Sequence, residues 1–257
     1  MITVHNVHYQ LHYKRIYNQP KNMTLDDVMQ QLQLLGHEEI KNIFLKHGAR
    51  EPFFGVKVGD LKTILKKAKT NYPLALELYN TGNTDAMYLA GLMTDPEKMS
   101  RIDLINWAET AYWYMISEYT VAWVASESLY ATELALEWIE SDKEPVAAAG
   151  WSTLANFVAL KNDNAIDYQL FSSLLDRVAD TIHSEKNRVR YAMNSFMISV
   201  GGYCLHLSEK AIKTASSVGK VNVEMGGTAC KVPVAVEYID KMHKRGMIGK
   251  KKKTVRC

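Results

Sequence analysis

All five tryptophans of this 257-residue chain, Trp107, Trp113, Trp123, Trp138 and Trp151, fall within 45 residues, with Glu109, Glu118 and Glu127 interleaved. Tyr112, Tyr114, Tyr119 and Tyr130 lie in the same stretch. Most such rings pack between long helices. Three adjacent aromatics, Tyr112-Trp113-Tyr114, point in different directions on a helix or its leading turn. They cannot all enter one core, so at least one is expected to line a cleft. An aromatic face beside a carboxylate suits a flat cation such as an alkylated purine, because the ring quadrupole attracts positive charge once water is excluded. The carboxylate would stabilise the oxocarbenium character that develops as a glycosidic bond breaks, and would orient a water.

A second kind of chemistry is carried by cations. The segment NRVRYAMNSF starts a helix with Arg188 and Arg190 and places Asn194 on it. Lys57 follows the Phe53-Phe54-Gly55 corner, and Lys62, Lys66 and Lys69 continue along one helical stripe. The net charge of +3 hides an asymmetry: residues 241–257 hold eight of the 31 bases and no acid, leaving 23 bases against 28 acids elsewhere. Clustered cations of this kind suit a polyanion, since neutralising phosphates releases condensed counterions. A solvated solubility tail fits the composition equally well. Lys220 precedes VEMGGTACKVP and Lys231 lies within it; Gly226 and Gly227 there allow unusual backbone geometry and Pro233 suits the first turn of the next helix. This Gly-Lys-rich module is a phosphate contact or a structural connector; it lacks P-loop spacing. Cys204, Cys230 and Cys257 are too scattered for a zinc site and read as reduced thiols.

The elements that must position these groups are helical. From Thr24 onward apolar residues recur at helical spacing, beginning with Leu25, Val28, Met29, Leu32 and Leu35 behind a Thr24 N-cap. About a dozen helices follow with short connectors, and only SVGKVNVEMGGTACKV suggests an extended loop or small hairpin. Consecutive helix pairs, one per roughly 30–45 residues, predict an α-solenoid whose pairs stack into one core. Residues 1–22 read as a polar leader, a candidate disordered segment. Residues 23–245 form the helical repeat domain, and residues 246–257 the basic tail. The chain has neither a membrane-spanning apolar run nor the apolar core of a signal peptide, which points to a cytoplasmic protein.

The segment Phe44 to Lys67, FLKHGAREPFFGVKVGDLKTILKK, resembles the early repeats of the AlkD-like DNA alkylation repair family, and residues 107–160 are similar as well. The resemblance implies an all-α, right-handed solenoid of about six HEAT-like helix pairs over residues 24–245, holding DNA in a concave basic groove. It implies double-stranded DNA as partner, bound at the phosphate backbone. The residues expected to hold it are Lys57, Arg188, Arg190, Lys220, Lys231, Lys244, Arg245, Lys250, Lys251, Lys252 and Lys253. A monomer is expected, with no metal and no organic cofactor. Trp113 matches the family's first functional tryptophan and would contact the substrate. The catalytic aspartate position falls on Ser117, with Glu118 one residue on as the remaining carboxylate. Ala148 stands at the arginine position of WIESDKEPVAAAGW, and the later tryptophan falls near Ser195. Two functions follow from the resemblance. One is a DNA-binding member with weak or altered alkylpurine N-glycosylase activity; the other is a non-catalytic HEAT-like scaffold for structured nucleic acid or a protein partner.

Overall fold

The computed structural model describes residues 23–226 and 230–256. Thr24 caps α1 (Leu25–Leu34) as its position suggests: its hydroxyl accepts from Asp27 N, while the Asp27 carboxylate accepts from Thr24 N. This reciprocal box satisfies two of the orphan donors at a helix start. Next come α2 (Glu38–Lys46) and α3 (Val58–Ala68). Five helix pairs follow. The first two are α4 (Tyr72–Asn80) with α5 (Thr84–Met93), and α6 (Arg101–Thr110) with a π-helical segment, Met115–Val121, that continues into α7 (Ala122–Glu127). The third pairs α8 (Ala131–Trp138) with α9 (Glu144–Leu160), the fourth α10 (Tyr168–Thr181) with α11 (Asn187–Tyr203), and the last α12 (Ser208–Val218) with α13 (Ala235–Lys244). No strand occurs among the described residues; of the stretch that reads as loop or hairpin, Ser217 and Val218 end α12 and the rest of the described part is irregular. Residues 1–22, Gly227 and Cys257 lie outside the described residues.

The architecture is an α-solenoid. Helices α5, the π–α7 unit, α9 and α11 stand side by side, each packed on the next. Their sequences show why. Every residue of α5 is buried, as are 13 of the 17 residues of α9, because a helix contacted on several sides must be apolar almost all round. Helices α10 and α12 bury one stripe instead. Tyr79 stacks on Trp107 at 4.0 Å in the N-terminal half of the core, and Trp151, Phe171 and Phe196 fill the C-terminal half. Four of the five tryptophans are therefore ordinary core residues.

The Phe53-Phe54-Gly55 corner is fixed by one buried carboxylate. Asp85, in the first turn of α5, accepts from three successive amides, Phe54 N at 2.6 Å, Gly55 N at 3.0 Å and Val56 N at 3.0 Å. Consecutive N–H groups of this kind form a concave anion nest. Gly55 has φ +77°, and a Cβ there would stand 2.6 Å from Lys41 N and 2.7 Å from His37 O. Only glycine fits. The corner thus ties the α2–α3 connection to α5 and drives Phe53 inward.

The basic tail does more than offer charge. Gly249 N donates to Gly202 O and Lys252 N to Ala159 O. Lys251 Nζ reaches Tyr203 O at 2.6 Å, Val158 O at 3.0 Å and Asp163 Oδ1 at 2.8 Å. Arg256 donates to Gly91 O and Thr94 O and pairs with Glu127. The segment runs across the C-terminal ends of α11, α9, α7 and α5 in turn. Those ends carry unpaired carbonyls and partial negative charge, so cations there are stabilising. Residues 249–256 are a strap that joins four stacked helices. Lys251→Met removes three charge-assisted contacts and is expected to cost about 2 kcal/mol. Thermal unfolding should show a midpoint lower by about 4–8 °C. Exposed Lys250→Ala should shift it by no more than about 1–2 °C.

Candidate functional site

The start of the π segment gathers the aromatic residues singled out by their spacing. Trp113 is buried against Ala49, Phe53 and Phe44, and its indole N–H donates to His47 O at 2.7 Å. Tyr112 O–H donates to Arg50 O, with the Arg50 guanidinium 4.5 Å from its ring. Tyr114 takes a third direction, as three adjacent rings must. Trp113 and Tyr112 hold the residue 47–50 loop; Tyr114 faces α11.

In an α-helix the position one turn after Trp113 belongs to Ser117, which is buried with its hydroxyl turned back to Trp113 O. A π turn repeats at five residues rather than four. The widening is seen where Thr120 Oγ1 reaches Met115 O, five residues back. The carboxylate that emerges among the tyrosines is that of Glu118, five residues after Trp113. The turn that begins at Trp113 closes on Ser117 N at 2.9 Å, four residues on, and the π turns start only at Met115, so they do not account for a one-residue shift from Trp113 to Glu118.

Glu118 is 7% exposed and meets Arg188, in the first turn of α11. The pair is side-on and bidentate: Arg188 Nε donates to Oε1 at 2.7 Å and an Nη to Oε2 at 2.6 Å. Arg188 is sandwiched between Tyr114 and Tyr191, its Cζ 4.5 and 4.4 Å from their ring centroids. Met225 Sδ accepts at 3.8 Å from its other Nη. Burial pushes the Glu118 carboxyl above the usual carboxylate range, and Arg188 opposes that shift. Burial likewise raises the Tyr114 and Tyr191 phenols, so both rings stay neutral and stack as π faces. Two aromatic walls and a carboxylate make a cation cage, and here the chain's own guanidinium fills it.

The extended segment after α12 closes over this cluster. Asn187 pairs with the Glu224 backbone through both its amide groups, and Asn194 Nδ2 donates to Pro233 O. A Cβ on Gly226, at φ +66°, would stand 2.8 Å from Lys46 O at the end of α2. Early and late helices therefore meet around Trp113, Tyr114 and Arg188.

The remaining cations divide into two groups. Arg188 is committed to Glu118, Arg190 to Asn187, Lys244 to Asp240 and Lys251 to the strap. Lys57, Lys220, Lys231, Arg245, Lys250, Lys252 and Lys253 are exposed and make no ion pair among the described residues. Ala148 is fully buried in the core and Ser195 half-buried on α11, so neither introduces a charge. Tyr191 escaped the sequence reading. Its spacing of three from Arg188 places both on one helix face, and that signal could have found it.

A solenoid of paired helices stacked side by side on one core defines a HEAT-like repeat protein. The pattern of the family described as DNA alkylation repair enzyme matches residues 28–239, and the chain belongs to that family. Uncharacterized proteins of Listeria innocua and Listeria monocytogenes are 36% and 35% identical over 229 residues, covering 87% of this chain and 99% of each relative. A solved structure with 43% identity and a TM-score of 0.84 covers 91% of this chain and 100% of its own. That protein is described as one of a new family related to the HEAT-like repeat DNA glycosylases, with affinity for branched DNA structures.

Removing Arg188 would leave the Glu118 charge buried and unpaired, which costs about 3–5 kcal/mol. Arg188→Ala should lower stability by that amount in urea titrations at pH 8. With its partner gone, burial and the nearby Glu144 charge set the Glu118 carboxyl, which moves further up. The folded state then binds more protons than the unfolded state, so stability falls as pH rises. The variant should therefore lose less stability at pH 5 than at pH 8, and the second change Glu118→Gln should remove that pH dependence.

Proposed function

We propose that this protein binds branched DNA through the phosphates of its duplex arms, as a binding scaffold rather than a glycosylase. The observation that carries the reading is the Glu118–Arg188 pair between two tyrosines. Hydrolysis through an oxocarbenium-like state requires a carboxylate whose charge is available to the reacting centre. Here the charge is already neutralised in a bidentate pair, and the space a cationic base would enter holds a guanidinium. Trp113 has its indole buried and its N–H bonded. Ser117 and Ala148 add no replacement charge.

Binding needs less. Exposed, unpaired Lys57, Lys220, Lys231, Arg245, Lys250, Lys252 and Lys253 supply a sequence-independent attraction to phosphate. The branched-DNA affinity described for the 43% identical neighbour supports the same class of partner. This reading keeps the expectation of a cytoplasmic monomer. The glycosylase reading has one observation in its favour: Tyr114, Tyr191 and Glu118 have the composition of a cage for a cationic base. It requires Arg188 to leave.

Two measurements decide between them. Fluorescence anisotropy should show a four-way junction bound more tightly than a linear duplex of equal length. The slope of log affinity against log salt should fall by about 0.9 for each phosphate-contacting lysine replaced, starting with Lys57→Ala and Lys231→Ala. Release of methylated bases from alkylated duplex should stay at background. Release above background that drops with Glu118→Gln would establish the enzyme instead; equal affinity for junction and duplex would remove the branched-DNA specificity.

A further inference from the structure

Apart from the Glu118 cluster, one concavity combines aromatic and cationic lining. A pocket of about 230 Å³ lies where α13 meets the end of α11, bounded by Tyr203, Tyr238, Lys241, Met242, Arg245 and Met247. It is a built feature. Positions 238, 241, 242 and 245 share one face of α13 and its C-cap. Gly202 allows α13 to settle on α11, since a Cβ there would stand 2.5 Å from Met242. Met247 N bonds Met242 O and Gly249 N bonds Gly202 O, both at 2.9 Å, so the start of the strap forms the remaining wall.

The lining does not look inward for partners. Lys241 and Arg245 are exposed and make no ion pair among the described residues, because neighbouring Asp240 is taken by Lys244 at 2.6 Å. Lys252 adds a third cation, 5.2 Å from the Tyr203 ring centroid. Tyr238 is 49% exposed and Met247 41%, so apolar surface is left open beside the cations that line the pocket. Open rings beside unpaired cations are the recipe for a single-stranded nucleic acid, whose bases stack while its phosphates are neutralised. The volume falls below the roughly 300–1,000 Å³ of typical small-molecule pockets, which suits one planar base.

We infer that this pocket holds one nucleotide of an unpaired DNA strand, its base on Tyr238 and its phosphates on Lys241, Arg245 and Lys252. The inference rests on the reading of the protein as a binder of branched DNA, and it adds a second contact point at the far end of α11. A duplex arm cannot use it, because its bases are already stacked on each other. A junction with an unpaired arm can.

The experiment compares a fully paired four-way junction with the same junction bearing an unpaired oligothymidine arm. For the wild-type protein the arm should raise affinity about tenfold, the scale of one aromatic–base stack. Tyr238→Ala should abolish the increment and Tyr238→Phe should keep it, both without changing affinity for the paired junction. Because Tyr238 is half exposed, both variants should melt as the wild type does. The pair Lys241→Ala/Arg245→Ala, at two exposed positions, is a second probe. It should reduce the arm's contribution and lower its salt slope by about 1.4, from two single-strand phosphate contacts. An increment below twofold, or one that survives Tyr238→Ala, overturns the pocket. Displacement of the arm by polyglutamate as readily as by oligothymidine also overturns it, and assigns the surface to acidic peptides. Failure to bind the paired junction at all is a different result, and it removes the DNA-binding reading underneath.

Discussion

An ion pair kept out of water must recover the hydration it gives up, and in this protein the Glu118–Arg188 pair does so with two kinds of contact at once. The bidentate geometry satisfies both carboxylate oxygens. The two tyrosine faces supply cation–π attraction, worth up to about 2 kcal/mol each when desolvated. Glu144, at the start of α9, accepts from Arg188 N at 2.7 Å and so also caps the first turn of α11. The pair spans 70 positions of sequence and connects the π segment to α11 across the edge of α9. Taking two charges out of water costs several kcal/mol per ion, so the arrangement adds little net stability. What it fixes is register: Tyr114, Tyr191 and Met225 have positions because the guanidinium between them does.

Helix-end electrostatics govern the rest of the solenoid. At helix starts Thr24, Asn71, Asn83, Ser100 and Asp167 accept from free amides, each within its own element. At the other ends the solution is shared. A single strap with a lysine and an arginine at suitable spacing reaches carbonyls of α11, α9 and α5 and the terminal glutamate of α7. Stacked repeats otherwise contact only their neighbours. The strap adds coupling between repeats that do not touch, which resists opening of the stack as a whole.

The sequence makes the local part of this legible and hides the non-local part. The helical periodicity and the Thr24 cap are readable because each is decided within a few residues, whereas the need for glycine at Gly55 is set by distant Asp85, His37 and Lys41. Tyr112, Trp113 and Tyr114 do diverge as adjacent rings are expected to, although Tyr112 and Trp113 lie in the connection after α6 rather than on a helix. Residue types could not distinguish Lys251 from Lys250, since the difference is which one meets three acceptors on α9, α11 and the following turn. The Glu118–Arg188 pairing was equally hidden: both residues stood out separately, one as a carboxylate and one as a phosphate ligand. The π turn leaves no compositional mark, because a widened turn arises from packing against α5, where Gly91 lets Thr120 approach.

Consider α11 from end to end. Arg188 and Tyr203 are separated by fifteen helical steps, about 22 Å at 1.5 Å per residue. At the first end the cation is locked to a carboxylate and both tyrosines are used in holding it. At the second end two tyrosines and three cations surround open space, with no carboxylate among the lining residues. Tyrosines and cations therefore gather at both ends of one helix with opposite availability. An arginine already neutralised repels no other cation and attracts no phosphate, whereas Lys241 and Arg245 retain their full field toward solvent. The unneutralised cations on this part of the surface thus lie away from the aromatic centre, at the junction of α11, α13 and the strap. A DNA contact made there tests the strap as well as the pocket, because Lys252 belongs to the segment that ties the four helix ends together.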